Sequence, residues 1–123
     1  MATKFYSLTI ANGAAVSTAF PFDRRRVVGV IVPSAWTAAD ITFDIEYPKS
    51  TWIKVVNRAG AAYKLTGVAT GASELQIVSG DANQADVIIT GPGDGRLVST
   101  NTASEADVNQ GAARTVVVVL ADV

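Results

Sequence analysis

Two closely spaced carboxylates are the first candidates for acid–base chemistry. Asp44 and Glu46 alternate with apolar residues in the segment Ile41-Thr42-Phe43-Asp44-Ile45-Glu46-Tyr47. Glycosidases instead place their two carboxylates on either side of the scissile bond. Side chains two positions apart on a strand share one face of the sheet. We therefore predict a half-solvated strand, in which Thr42, Asp44 and Glu46 face water while Ile41, Phe43, Ile45 and Tyr47 face inward.

Two loops contain residue types associated with ligand binding. Asp81, Asn83 and Asp86 supply oxygen atoms that Ca²⁺ prefers, but an EF-hand loop requires glycine where Asp86 stands. The loop Gly91-Pro92-Gly93-Asp94-Gly95 lacks the Lys-Ser/Thr pair of a phosphate-binding loop. We interpret the first loop as a polar turn and the second as a tight connection between strands. We expect neither a metal nor another cofactor.

The sequence contains no histidine and no cysteine. Their absence excludes histidine-based catalytic triads, thiol nucleophiles, disulfide bonds and metal sites built from either residue. Because the commonest general base of enzymes is missing, we expect a structural or binding protein rather than an enzyme.

The candidates for partner binding are a basic cluster, the tryptophans and the N-terminal segment. Arg24, Arg25 and Arg26 could pair with acidic groups of a protein or with nucleic acid, and the alternative is a solvated corner before a buried strand. Trp36 and Trp52 could anchor an interface or stack on sugar rings, or Trp36 could close one end of the fold. We predict partner contacts at these residues: Lys4, Phe5, Tyr6, Arg24, Arg25, Arg26 and Trp36.

Charge and composition limit the class of partner. The chain has 10 Lys and Arg against 11 Asp and Glu, whereas proteins that bind nucleic acids or anionic membranes usually carry a basic excess. We therefore expect no nucleic-acid and no membrane partner. Only 17% of the residues are charged and the mean hydropathy is +0.29. These values favour a homo-oligomer or an assembly over the alternative, a monomer with an alanine-rich surface.

The residue types and their spacing predict strands throughout the chain. Val, Ile and Thr supply 37 of the 123 residues, and these side chains favour strands over helices. Apolar runs separated by turn residues about every 8–12 positions are typical of an antiparallel fold. We predict one all-β domain over residues 1–123, a single antiparallel β-sandwich or jelly-roll-like domain of about nine short strands. The candidate strands are 4–10, 16–22, 27–32, 41–47, 52–56, 63–69, 75–79, 97–100 and 114–120, and residues 87–90 form a further short apolar run.

Three segments resemble a known group of proteins. One is the apolar strand that leads into Pro33-Ser34-Ala35-Trp36-Thr37 and then Ile41-Thr42-Phe43. The others are Val108-Asn109-Gln110-Gly111-Ala112-Ala113-Arg114-Thr115 before the last strand, and Arg96-Leu97-Val98-Ser99. Together they resemble small virion-associated β proteins of tailed bacteriophages and prophages.

The resemblance implies a structural role in a virus particle. We expect a capsid decoration (cement) protein that is made in the host cytoplasm, since no apolar run typical of a secretion signal follows Met1. It would bind the exterior of the mature head as a trimer and brace neighbouring subunits of the major capsid protein. The alternatives are a tail, neck, baseplate or head-fibre component, and a carbohydrate-binding β-sandwich that uses Trp36 or Trp52. The resemblance implies no catalytic residues.

Overall fold

The computed structural model of the chain describes residues 3–56, 60–65, 75–78, 89–101, 104 and 106–122. These residues are all-β, with eight strands and no helix. No described segment is therefore a helix that could cross a membrane. The strands are β1 (Thr3–Ile10), β2 (Phe20–Pro21), β3 (Arg25–Ile31), β4 (Asp40–Glu46), β5 (Trp52–Lys54), β6 (Leu75–Ile77), β7 (Asp94–Thr100) and β8 (Arg114–Asp122).

The strands form two four-stranded antiparallel sheets. Sheet A has the order β1-β8-β3-β6, and sheet B has the order β2-β7-β4-β5. Among the strands that the structure describes, each lies in the other sheet from the one before it, except that β4 and β5 share sheet B. Because consecutive strands lie in different sheets, residues far apart in the sequence become neighbours.

Side chains from both sheets meet in one hydrophobic core. Sheet A supplies valine and leucine from its central strands, whereas sheet B adds aromatic rings. Burial of each large apolar side chain contributes roughly 1.5–3 kcal/mol to folding. Members of the core include Leu8, Val27, Val30, Val116, Val118 and Leu120 from sheet A, and Phe20, Ile41, Phe43 and Leu97 from sheet B.

The predicted strands with strong apolar patterns are confirmed, and the weaker ones are shorter than predicted. Strands cover most of 4–10, 27–32, 41–47, 97–100 and 114–120. Within 16–22 only Phe20–Pro21 is a strand, while Val16 and Ser17 form isolated bridges to Val98 and Ile10. The described part of 63–69 ends at Leu65, which bridges Ile41. Of the short apolar run 87–90, residues 87 and 88 lie outside the described residues, and residues 89 and 90 belong to no strand.

The prediction that one face of β4 is solvated is wrong. Thr42 and Asp44 are buried, and Tyr47, which was expected inside, is 60% exposed. Long side chains from the neighbouring strands contact this face. Lys54 Nζ lies 3.4 Å from Thr42 Oγ1, and Arg96 Nε donates to Asp44 Oδ2 at 2.9 Å. Polar residues on β4 therefore belong to a covered cross-strand network.

Candidate interaction surface

The four strands at the edges of the sheets differ strongly in length. Among the described strands, β2, β5 and β6 have two, three and three residues, whereas β1 has eight. An exposed edge offers unpaired backbone N–H and C=O groups to other chains, and natural sheets therefore shorten, charge or bend their edge strands. Of these, β2 and β5 follow that rule by their shortness, and β1 does not.

One end of the β1 edge is closed and the rest is open. Thr9 donates its backbone N–H to Thr18 Oγ1 at 3.1 Å, and its carbonyl oxygen accepts the Thr18 N–H at 3.0 Å. Alternation along an antiparallel strand turns the N–H and C=O groups of Phe5 and Ser7 to the same side as those of Thr9. In the described chain, β1 pairs over residues 3–8 with β8 alone. We call residues 3–8 the free edge of β1.

Lys4, Phe5 and Tyr6, all predicted as contact residues, lie on this free edge but face different surroundings. Phe5 is 59% exposed. Tyr6 turns inward, packs against the core and stacks on Phe20 with a centroid distance of 6.5 Å. The Lys4 ammonium lies 5.6 Å from the centroid of the Tyr6 ring, in the range of a cation–π contact. Phe5 is thus the member of the trio that offers apolar area to a partner.

The rows of sheet A that contain Phe5 and Ser7 carry no charge. Strand pairing aligns Phe5 with Val119 and Gly29 in one row, and Ser7 with Val117 and Ile31 in the next. We call these six residues the outer face of sheet A. Ser7 and Phe5 are exposed, Val117 and Ile31 are half-buried, and Val119 and Gly29 are buried. The outer face of sheet A is therefore an uncharged, largely apolar surface that continues from the free edge of β1.

The three arginines of the basic cluster are not equivalent. Asp23 and Arg24 both have positive φ, and the Arg25 N–H donates to the Phe22 carbonyl at 2.9 Å, as in a type I′ turn. Arg25 forms an ion pair with Asp23 at 3.2 Å, and its Nε lies 3.5 Å from Asp122 Oδ1 without hydrogen-bond geometry. Arg25 therefore ties the turn to β8, whereas the Arg24 side chain is exposed.

Arg26 is brought close to the start of β1. It lies opposite Ala121 on β8, and Ala121 lies opposite Thr3. With neighbouring strands about 4.8 Å apart, the backbones of Arg26 and Thr3 are separated by about 10 Å. The predicted basic and N-terminal contact residues therefore meet at one end of sheet A.

Trp36 does not belong to an accessible surface. The side chain is only 1% exposed, packs in the core and donates its Nε1–H to the Ala39 carbonyl at 3.3 Å. The prediction of a partner contact at Trp36 is corrected accordingly, because the ring fills the interior beside the 33–39 loop. Burial of the ring also removes Trp36 as a platform for sugars.

Trp52 and Asp44 share one partner, Arg96, and Glu46 has another. The guanidinium of Arg96 lies over the Trp52 ring, with Cζ 4.3 Å from the centroid, while its Nε binds Asp44. Glu46 Oε2 accepts the Ser50 N–H at 2.9 Å. The two carboxylates, which are two positions apart on β4, therefore have different partners.

Sequence reasoning missed the role of Gln110. This side chain is only 1% exposed, and its Oε1 accepts the Thr37 N–H at 2.9 Å. Its Nε2 donates to the Thr37 carbonyl at 3.2 Å and to Ser99 Oγ at 3.1 Å. Gln110 thus fastens the 33–39 loop to β7. One feature of the sequence pointed to Gln110, namely its place in the segment Val108-Asn109-Gln110. That segment was interpreted only as part of the resemblance to phage proteins.

The acidic side chains of the described residues form no metal centre. In the described ranges no group of three or more acidic side chains is placed to hold a metal ion. The loop with Asp81, Asn83 and Asp86 lies outside those ranges.

No protein-family model, curated protein or solved structure matches this chain.

Proposed function

We propose that this protein is a decoration (cement) protein that binds the exterior of a bacteriophage head and stabilises contacts between major capsid subunits. The observation that best supports this proposal is the free edge of β1, which is long and nearly uncharged. Monomeric proteins protect such an edge, because it templates pairing with another chain. An edge of this kind suits a protein whose partner supplies the next strand.

The position of the apolar surface supports the same proposal. The outer face of sheet A adjoins the free edge, so one partner can pair with the strand and cover Phe5 together. Arg24 and Arg26 at the end of sheet A add cations for acidic groups of that partner. We assign the major capsid protein as this partner, and neither nucleic acid nor a membrane takes part.

The architecture and assembly belong to the same proposal. We infer that the two sheets pack as a β-sandwich with jelly-roll-like connections, because one hydrophobic core contains side chains of both. We further propose a trimer on the capsid exterior that has a structural rather than an enzymatic role. Repeated contacts around a closed shell convert weak individual binding into stable attachment.

The copy number in purified particles tests the proposal. Quantitative mass spectrometry of particles from the encoding phage would compare this chain with the major capsid protein. We expect comparable numbers of the two chains. A handful of copies would favour a neck, tail or baseplate component instead, and a complete absence from particles would overturn the structural role.

A truncation tests the contact surface. Deletion of residues 1–6 removes half of the strand that offers the free edge. We expect binding to undecorated capsids, measured by co-sedimentation, to fall much more than the free energy of unfolding. Arg24→Ala is a milder second variant, which leaves the strand intact and removes one exposed cation. An equal loss of binding and of folding stability in the truncation would contradict the assignment.

A further inference from the structure

A pocket of about 240 Å³ lies at the end of sheet B where β4 ends and β7 begins. None of its lining residues belongs to the free edge of β1. Its lining combines an aromatic ring, a proline, a carboxylate and an ammonium group, which come from Glu46, Tyr47, Lys49, Pro92 and Gly93. Tyr47 is 60% exposed, so much of its side chain is accessible to a ligand. The pocket opens to solvent.

The wall of the pocket is tightly built. A Cβ atom on Gly93 would lie 2.9 Å from the Glu46 carbonyl oxygen, and one on Gly91 would lie 2.5 Å from Ile45 Cγ2. Only glycine lets the 91–93 loop approach β4 this closely. On the opposite side, the Ser50 N–H donates to Glu46 Oε2 and holds the carboxylate in place. The side chain of Glu46 is therefore positioned by the local fold before any ligand binds.

The two charges of the pocket remain available. Glu46 and Lys49 form no ion pair with each other. Oε1 of Glu46 is directed toward Gly93, where it would lie 3.3 Å from an added Cβ. The lining of the pocket therefore contains a hydrogen-bond acceptor and a hydrogen-bond donor that are not paired with each other, with no net charge to select an anion or a cation.

We propose that this pocket binds a saccharide. A sugar hydroxyl both donates and accepts, as serine and threonine hydroxyls do, so one ring can donate to Glu46 and accept from Lys49. The C–H face of the same ring packs on the Tyr47 ring and Pro92, which supply the apolar part of the site. A simple ion satisfies one charge and is repelled by the other. The site is separate from the free edge of β1, and either assignment can fail alone.

Nuclear magnetic resonance of the isotope-labelled intact chain tests the proposal. The probes are D-glucose, D-galactose, D-mannose, L-rhamnose and N-acetyl-D-glucosamine, each titrated into the millimolar range. We expect at least one sugar to shift the backbone amides of Tyr47 and Gly93 in a saturable manner. Glycine is the competing probe, because its ammonium and carboxylate can satisfy both charges without an apolar face.

Two variants connect the response to the pocket. Tyr47→Ala removes the apolar platform and is expected to weaken sugar binding about tenfold. Ile53→Ala is the matched control, since Ile53 is an exposed apolar residue on β5 of the same sheet that does not line the pocket, and it should leave the affinity unchanged. The proposal is overturned if no sugar shifts these amides, if glycine alone does, or if Tyr47→Ala binds as tightly as the parent chain.

Discussion

Gln110 is a single side chain that joins three parts of the fold. Its amide satisfies Thr37 and Ser99, and Arg114 Nε also donates to its Oε1 at 3.3 Å. Removal of the amide leaves buried polar groups without partners, at about 1–3 kcal/mol each. We predict that Gln110→Ala lowers the free energy of unfolding by about 2–4 kcal/mol, as measured by urea denaturation.

The neighbouring residue provides the control for this prediction. Asn109 is exposed, so Asn109→Ala should change stability by less than about 0.5 kcal/mol. Equal effects of the two substitutions would show that Gln110 does not fasten the 33–39 loop in solution.

At Gly95 the backbone of β7 lies close to two aromatic rings. A Cβ atom on Gly95 would lie 2.7 Å from the Cζ atoms of Phe20 and Phe22. These rings are themselves packed edge to face, 5.1 Å apart, and cannot withdraw easily. We predict that Gly95→Ala destabilises the protein by about 1–3 kcal/mol, as measured by thermal and urea unfolding.

Another glycine separates this packing effect from the general effect of adding a methyl group. A Cβ atom on Gly111 would have its nearest neighbour at 3.8 Å, which is an ordinary contact. Gly111→Ala is therefore expected to be neutral or to stabilise by up to about 1 kcal/mol, since it restricts the unfolded chain. A comparable loss of stability in both variants would contradict the packing explanation.

At the scale of elements, the free edge of β1 makes a prediction that depends on backbone direction. The Ser7 N–H points away from β8, so proline at this position removes a donor of the free edge but no bond within sheet A. We predict that Ser7→Pro loses binding to undecorated capsids in a co-sedimentation assay while its stability stays within about 1 kcal/mol of the parent.

Two variants bracket this result. Ser7→Ala keeps the outward N–H and should bind like the parent chain. Tyr6→Pro removes an inward N–H that faces Val118 on β8, together with a ring of the core, and should destabilise the domain strongly. Full capsid binding by Ser7→Pro would rule out strand addition at this edge.

The same elements show which structural features can be read from the sequence. Residues 27–32 and 114–120 form strands as predicted, because continuous β-branched runs are a local signal. The polar face of β4 was misjudged because the side chains that contact it, Lys54 and Arg96, come from different strands. Such coverage depends on the order of strands, which no local pattern contains. The pocket beside Tyr47 was missed for that reason as well.

At the scale of the whole molecule, the uncharged outer face of sheet A makes a prediction about assembly. We assign this face to the major capsid protein and not to contacts between copies of the chain. Phe5→Lys places a charge in the row that also contains Val119 and Gly29, and a buried unpaired charge is costly. We predict that Phe5→Lys stays folded and trimeric, with three times the monomer mass of 12.8 kDa in light scattering, but no longer co-sediments with undecorated capsids. Tyr47→Lys, an equally exposed aromatic position at the end of sheet B, should remain trimeric and bind capsids like the parent chain. A monomeric Phe5→Lys would show that the copies meet through this face and would contradict its assignment to the capsid.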